Sequence, residues 1–186
     1  MNRTCIALYG LKASGKTFFS DYLHEKYNAK VLYLSRMLEL KLCAHTPEGF
    51  AKYSELKLEN SSRIPMIQTL ENEIINEIKD ESLIVIEGFL SNEDCEYFNE
   101  HFDLNCLKVL ILNTDFNNRL QRFCNRHNYE KDTAMIELHK DDLFRIKAGY
   151  DRTKDSCNYV IDNNKTIDVF ENNIDEFMKM IGEECV

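Results

Sequence analysis

The sequence predicts an α/β fold, a three-layer sandwich in which a five-stranded parallel sheet lies between two layers of helices. Segments with the pattern of strands alternate with segments of helical pattern, as they do in parallel sheets covered by helices. The strand segments are continuous apolar runs, which is typical of strands buried on both faces. A length of 186 residues with 44% hydrophobic residues fits a single domain, 1–186.

The strands are predicted from short apolar runs. The first is Cys5-Ile6-Ala7-Leu8-Tyr9, and the third is Leu83-Ile84-Val85-Ile86. The predicted strands cover about Thr4–Tyr9, Lys30–Leu34, Ser82–Glu87, Leu107–Leu112 and Asn158–Ile161. Because ligands of such sheets bind beyond the carboxyl ends of the strands, the residues that follow each strand are the candidates for function.

The helices are predicted from apolar residues at helical spacing. Ile67, Leu70, Ile74 and Ile78 form one such stripe, and the last helix has another between Ile167 and Ile181. The predicted helices before the last one cover Lys16 to about Tyr27, about Ser35–Ala44, Ser62–Lys79, about Asn92–His101, Asp115–His127 and about Asp132–Lys147. A helix therefore separates every two consecutive strands, as parallel pairing requires.

Composition and charge argue against several classes of protein. A formal net charge of −9 disfavours a general nucleic-acid-binding surface. Seven cysteines without a C-x-x-C pair indicate reduced thiols rather than a disulfide framework or a zinc site. No apolar run approaches membrane-spanning length and no apolar targeting segment is present, so we expect a cytoplasmic protein without a membrane partner. The oligomeric state stays open.

The most informative motif is G-x-x-x-x-G-K-T at Gly10-Leu11-Lys12-Ala13-Ser14-Gly15-Lys16-Thr17. It follows an apolar strand and opens a helix, which is the context that a phosphate-binding loop requires. The glycines let successive N–H groups turn toward phosphate oxygens, and the helix adds its positive N-terminal end. Lys16 would reach the β- and γ-phosphates of ATP, and the Thr17 hydroxyl would coordinate Mg²⁺. The expected fold is therefore that of the P-loop NTPases.

A carboxylate ends the third predicted strand, at Glu87-Gly88-Phe89. Nucleotide-binding enzymes keep the group that organises the Mg²⁺ shell at this place, so we expect Glu87 to be functional. A surface glutamate that ends the strand is the alternative.

A basic stripe marks the helix after the fourth strand, with Arg119, Arg122 and Arg126 beside its apolar face. Planar guanidinium groups match the equatorial oxygens of a transferring phosphoryl group, so this stripe indicates a mobile phosphate clamp, with a short lid at about 119–150. A solvated helix face is the alternative, and Arg145 has a plain partner in Asp141 four residues earlier.

The segment of about 35–80 is the candidate acceptor site. Arg36 directly follows the second strand, and Arg63 opens the next predicted helix. Both side chains could hold the phosphate of an acceptor, and either could be an exposed basic residue.

With these motifs, the chain resembles the nucleoside monophosphate kinases and their relatives, the dephospho-coenzyme A kinases and phage-type deoxynucleoside monophosphate kinases. The resemblance rests on Gly10–Thr17, Val85-Ile86-Glu87-Gly88-Phe89, the Arg119/Arg122/Arg126 helix and Asn158-Tyr159-Val160-Ile161-Asp162-Asn163. It departs from adenylate kinases at Leu34–Glu39, which lacks their Gly-Asp, and from dephospho-coenzyme A kinases in lacking acidic residues there. The acceptor therefore stays open.

The resemblance implies a set of roles. Lys16 would stabilise the transferring phosphoryl group, and Thr17 with Glu87 would organise Mg²⁺. Arg122 and Arg126 would be catalytic lid arginines, with Arg119 or Arg145 assisting. The expected ATP-binding residues are Gly10, Lys12, Ala13, Ser14, Gly15, Lys16, Thr17 and Arg119, and the expected acceptor-binding residues are Arg36, Arg63, Gly88 and Phe89.

The sequence thus predicts a small Mg²⁺-dependent kinase that moves the γ-phosphoryl group of ATP to a small phosphorylated acceptor, first of all a (deoxy)nucleoside monophosphate. The arginines favour a phosphate acceptor, which needs a clamp but no strong base. Glu87 keeps open a hydroxyl acceptor, as in dephospho-coenzyme A kinases, because a hydroxyl needs a base. A P-loop switch protein without a metabolic acceptor is the remaining alternative.

Overall fold

The structure, a computed structural model, describes residues 3–41, 46, 64–102, 104 and 106–184. Five parallel strands form one sheet: β1 (Thr4–Gly10), β2 (Lys30–Tyr33), β3 (Leu83–Glu87), β4 (Cys106–Asn113) and β5 (Tyr159–Asp162). Their spatial order is β2-β3-β1-β4-β5. The first strand is therefore central. The chain passes from one side of β1 to the other between β3 and β4, and in parallel sheets such a change of direction leaves a crevice at the carboxyl ends of the strands, here beyond β1.

The described helices cover both faces of this sheet. They are α1 (Lys16–Tyr27), α2 (Leu34–Lys41), α3 (Ile64–Gln68), α4 (Glu71–Ile78), α5 (Asn92–His101), α6 (Phe116–His127), α7 (Lys131–Lys147), α8 (Tyr150–Ser156) and α9 (Ile167–Glu184). No helix in the described ranges is both long and apolar enough to cross a bilayer.

The core consists of two apolar layers that share the central strand. Cys5, Ala7 and Tyr9 of β1 point into the layer under α2 to α5. Ile6 and Leu8 point into the layer under α1 and α9. Because side chains alternate along a strand, a continuous apolar run is what a strand needs when both faces are covered. The predicted α/β three-layer sandwich with a five-stranded parallel sheet is confirmed.

Two local features differ from the expectation. The helix predicted over Ser62–Lys79 is interrupted between α3 and α4, where the Thr69 hydroxyl donates to the Met66 carbonyl at 2.7 Å. A side chain that bonds a nearby carbonyl competes with the helical hydrogen-bond ladder. The short helix α8 was not expected, and it follows Gly149, whose φ of 104° ends α7. Residues 42–44 and 62–63, which the predicted helices include, lie outside the described residues.

Candidate functional site

The loop between β1 and α1 has the backbone that the glycine-rich motif predicts. Ala13 and Gly15 have positive φ values of 64° and 104°. A Cβ atom at Gly15 would collide with the side-chain amide of Asn163, so any other residue would displace that amide as well as strain the backbone. The loop thus turns tightly at the carboxyl edge of the central strand.

Lys16 is folded back onto this loop. Its Nζ donates to the carbonyls of Gly10 at 2.9 Å and Leu11 at 3.1 Å, and only 9% of the residue is exposed. Burial, and next the positive charge of Arg145, lower the pKa of Lys16 to about 7, although Glu87 and Asp141 act in the opposite direction. A polyphosphate would supply the negative charge that this ammonium group needs.

Side chains from the ends of β4 and β5 hold the loop from behind. The Ser14 carbonyl accepts hydrogen bonds from Asn163 Nδ2 at 2.8 Å and from Thr114 Oγ1 at 3.0 Å. The Lys12 carbonyl accepts one from Arg119 Nη1 at 3.2 Å. Since all three donors are buried, the loop is fixed to the sheet rather than left free to reorganise.

Glu87 ends β3 directly beside this loop. Its Cα lies opposite that of Leu8 of β1 on one side and that of Tyr33 of β2 on the other. Its Oε2 is buried and has no hydrogen-bond partner among the described residues. Burial raises the pKa of Glu87, while the positive charges of Lys16 and Arg145 oppose the rise. A buried carboxylate oxygen without a partner is expensive unless a ligand, a metal ion or water satisfies it.

These elements enclose one pocket of about 210 Å³. Its floor is the loop from Lys12 to Thr17, and one wall is formed by Ser35, Glu87 and Gly88. Arg126 of α6 and Asp141 and Arg145 of α7 also line it. The pocket therefore places a phosphate-binding loop, two carboxylates and two arginines around the same space.

The arginines of α6 lie in three different environments. Arg119 is buried and donates two hydrogen bonds to the Asp142 carboxylate, at 2.9 and 2.7 Å. Arg122 Nη2 donates to the backbone and side-chain oxygens of Asn163, and its Nη1 is buried without a partner in the described part of the chain. Arg126 is exposed and lines the pocket.

The residues expected to bind the acceptor are also separated. Gly88 lines the pocket, and the exposed Arg36 holds its guanidinium 5.5 Å from the centre of the Tyr33 ring. Phe89 is 1% exposed and packs against Tyr9 in the core, so its side chain is not part of the pocket wall. Arg63 lies outside the described residues.

The pocket fits a magnesium ion bound together with a nucleotide. Thr17 is the second residue of α1 and is exposed, and it lines the same pocket as Glu87, whose Oε2 has no partner among the described residues. No group of three or more His, Cys, Asp or Glu that could hold a metal occurs within the described ranges. Mg²⁺ in phosphoryl-transfer sites uses one or two protein oxygens and takes its other ligands from phosphates and water, so this donor set is sufficient.

Three supporting residues were not predicted: Asn163, Thr114 and Asp142. Asn163 and Thr114 follow β5 and β4 directly, so the strand-end rule could have found them. Asp142 is 23 residues from Arg119, and its role depends on how α6 packs against α7. No sequence pattern of short range indicates that pair.

Comparisons with known proteins give the fold class independently. No protein-family model and no curated protein matches the chain. Among solved structures, it is similar to a gluconokinase from Sinorhizobium meliloti 1021, with 14% identity over 98% of this chain and 95% of that chain and a TM-score of 0.65.

Two shikimate kinases are also similar. The one from Bacteroides thetaiotaomicron has 16% identity, covers 96% of this chain and 98% of its own, and has a TM-score of 0.57. The one from Acinetobacter baumannii, in complex with shikimate, has 17% identity, covers 98% of this chain and 94% of its own, and has a TM-score of 0.54. At such identities the likeness concerns the fold alone, an α/β fold with a parallel sheet and a phosphate-binding loop. The resemblance to nucleoside monophosphate kinases is supported at the level of that fold and not at the level of the acceptor.

Proposed function

We propose that this protein is an ATP-dependent kinase that transfers the γ-phosphoryl group to a hydroxyl group of a small molecule. One observation carries the proposal: Glu87 lines the same pocket as the phosphate loop and Lys16, and its buried Oε2 has no hydrogen-bond partner among the described residues. A hydroxyl acceptor needs a base near the reacting atom, and a phosphate acceptor does not.

The transfer forms one bond to the γ-phosphorus and breaks another. The acceptor oxygen attacks the γ-phosphorus, the bond from that phosphorus to the bridging oxygen of ADP breaks, and the electron pair leaves with ADP. The hydroxyl proton passes to Glu87, whose raised pKa makes it a stronger base than an ordinary carboxylate. Lys16 and Arg126 stabilise the charge on the transferring group. Mg²⁺, held by Thr17 with the phosphates, would neutralise charge on the β- and γ-phosphates.

The negative charges close to Glu87 support this choice. Glu87 lines the pocket, and the charge of the nearby Asp21, which lies outside the lining, acts to raise the pKa of Glu87. The Tyr33 hydroxyl donates to Asp21 at 2.8 Å, so a second carboxylate lies close to the end of β2. Two carboxylates disfavour an anionic reacting group and suit a polyhydroxylated one. The gluconokinase and shikimate kinases with this fold are, by their names, kinases of hydroxylated small molecules.

A (deoxy)nucleoside monophosphate is the second candidate acceptor, and Arg36 favours it. Arg36 lies at the start of α2 as an exposed residue, and a guanidinium group matches the geometry of a phosphate. A monophosphate acceptor would also use features that were predicted from the sequence. They are Arg63, the acceptor segment of about 35–80 and a lid at about 119–150 that closes over the site.

The test is an acceptor screen with ATP and Mg²⁺ that follows ADP release. One group contains hydroxyl acceptors (shikimate, gluconate, nucleosides and dephospho-coenzyme A), and the other contains nucleoside and deoxynucleoside monophosphates. We expect a hydroxyl acceptor to stimulate ADP release. Stimulation by monophosphates alone, together with a KM for the acceptor that rises about tenfold in Arg36→Ala, would establish the second candidate instead. If no acceptor stimulates release, the kinase proposal fails and a P-loop switch becomes the better explanation.

A further inference from the structure

The wall of the pocket contains a carboxylate that the transfer reaction does not use. Asp141 lies on α7 and lines the pocket together with the phosphate loop. Its Oδ2 accepts a hydrogen bond from Nε of Arg145 at 2.7 Å, and each side chain is 19% exposed. A negatively charged group thus occupies a site whose expected ligand is a polyanion.

The ion pair between Asp141 and Arg145 differs from the ion pair that the next residue, Asp142, makes with Arg119. Asp142 binds Arg119 through both of its oxygens, and Arg119 also donates to the Lys12 carbonyl. That pair is almost fully buried, with 4% and 14% of its side chains exposed. The pair between Asp141 and Arg145 is joined through Nε and faces open space in the pocket. Its partners can therefore separate at a lower cost.

The charges of the phosphate loop act on Asp141 more weakly than Arg145 does. Burial acts to raise its pKa, but the charge and hydrogen bond of Arg145, followed by the charges of Lys12 and Lys16, hold the pKa of Asp141 below its usual range. Arg145 lines the same pocket as Lys16, the residue expected to reach the β- and γ-phosphates, and among the charged neighbours it has the largest effect on the pKa of Lys16. A terminal phosphate bound by Lys16 would therefore share the pocket with Arg145.

We propose that Asp141 determines how strongly the site favours a nucleoside triphosphate over a diphosphate. Its carboxylate holds Arg145 in place of a phosphate while the site contains no nucleotide, and it yields Arg145 to the terminal phosphate of ATP. ADP does not reach Arg145 and leaves the ion pair intact. Asp141 is thus an internal competitor of the γ-phosphate, and the proposal rests on the nucleotide site of the proposed kinase.

The test is calorimetric titration of the full chain with ATP–Mg²⁺ and with ADP–Mg²⁺, without an acceptor. We expect Asp141→Asn to bind ATP about five- to tenfold more tightly than the wild type, because no ion pair has to break, while the Kd for ADP changes less than about twofold. Asp132→Asn, the same change at an exposed position of the same helix, is the control and leaves both constants within about twofold of the wild type.

A second variant isolates the partner exchange. In an Arg145→Gln background, Asp141→Asn should no longer change the Kd for ATP, since the competing pair is already gone. Weaker ATP binding by Asp141→Asn, equal tightening of ATP and ADP, or an undiminished effect without Arg145 would each overturn the proposal. A wild type that binds ATP but phosphorylates no acceptor would overturn the proposed function alone, whereas a wild type that binds no nucleotide would overturn both.

Discussion

The buried ion pair between Arg119 and Asp142 joins α6 to α7 and continues to the phosphate loop through the Lys12 carbonyl. Arg119 is 3% exposed in the wild type, and Asp142→Ala removes its counterion and leaves the Lys12 carbonyl and the Phe116 ring as contacts of the guanidinium. A buried charge that loses its counterion cannot recover full hydration. The variant should therefore be strongly destabilised.

The structure allows the size of this effect to be worked out. Breaking a fully buried ion pair costs about 3–5 kcal/mol, and the 14% exposure of the Asp142 side chain places this pair at the lower end, about 3 kcal/mol. For a chain of this size, that corresponds to a fall in Tm of about 6–12 °C. Arg119→Leu combined with Asp142→Leu should cost less than Asp142→Ala, because no unpaired charge remains.

Urea denaturation at pH 7, followed by circular dichroism, measures the free energy of unfolding. Glu137→Ala serves as the control on the same helix, because its ion pair with Lys140 is exposed and should change the free energy by less than about 0.5 kcal/mol. A value for Asp142→Ala within about 0.5 kcal/mol of the wild type would refute the reasoning, as would a double variant less stable than Asp142→Ala.

Three further outcomes follow from the site. Asn163→Ala removes the amide that holds the Ser14 carbonyl, so it should weaken ATP binding about tenfold in a calorimetric titration, whereas a change below about twofold would speak against the loop support. At pH 8, ATP binding should take up about one proton because Lys16, with a pKa of about 7, is mostly neutral before the phosphates arrive. Titration in buffers of different ionisation enthalpy measures this uptake, which should be absent in Lys16→Met. Because the folded pKa of Lys16 lies below its unfolded value, wild-type stability relative to Lys16→Met should rise between about pH 7 and pH 10, and a flat or falling difference in urea denaturation contradicts the lowered pKa.

The fold could be predicted because its strands are buried on both faces. A strand such as β1, whose successive side chains enter two different core layers, must be apolar throughout, and that property is visible in the sequence. The interruption between α3 and α4 was not visible, since it depends on a hydroxyl that competes with the helix backbone at Thr69.

The candidate site could be predicted where residues follow strands, and less well where helices pack. The loop from Gly10 to Thr17 and Glu87 lie side by side because the carboxyl ends of β1 and β3 are adjacent. The three arginines of α6 form one stripe in the sequence but lie in different environments in the structure. The packing of Leu120 and Phe123 against α7 fixes the orientation of α6, and this orientation determines which of its arginines faces the pocket. Their roles as a clamp remain predictions.

The central claim is that Glu87 takes the proton of a hydroxyl acceptor, and the most direct test is the pH dependence of kcat in the wild type and in Glu87→Gln with the acceptor found by the screen. In the wild type, we expect kcat to fall as pH falls through the raised pKa of Glu87, because the protonated carboxyl cannot act as a base. Glu87→Gln should lower kcat by about a hundredfold or more and remove this acidic limb, while the Kd for ATP stays within about threefold. Glu77→Gln, at an exposed residue that pairs with Lys30 outside the pocket, should behave as the wild type. A kcat for Glu87→Gln within about tenfold of the wild type, with the acidic limb unchanged, would contradict the claim.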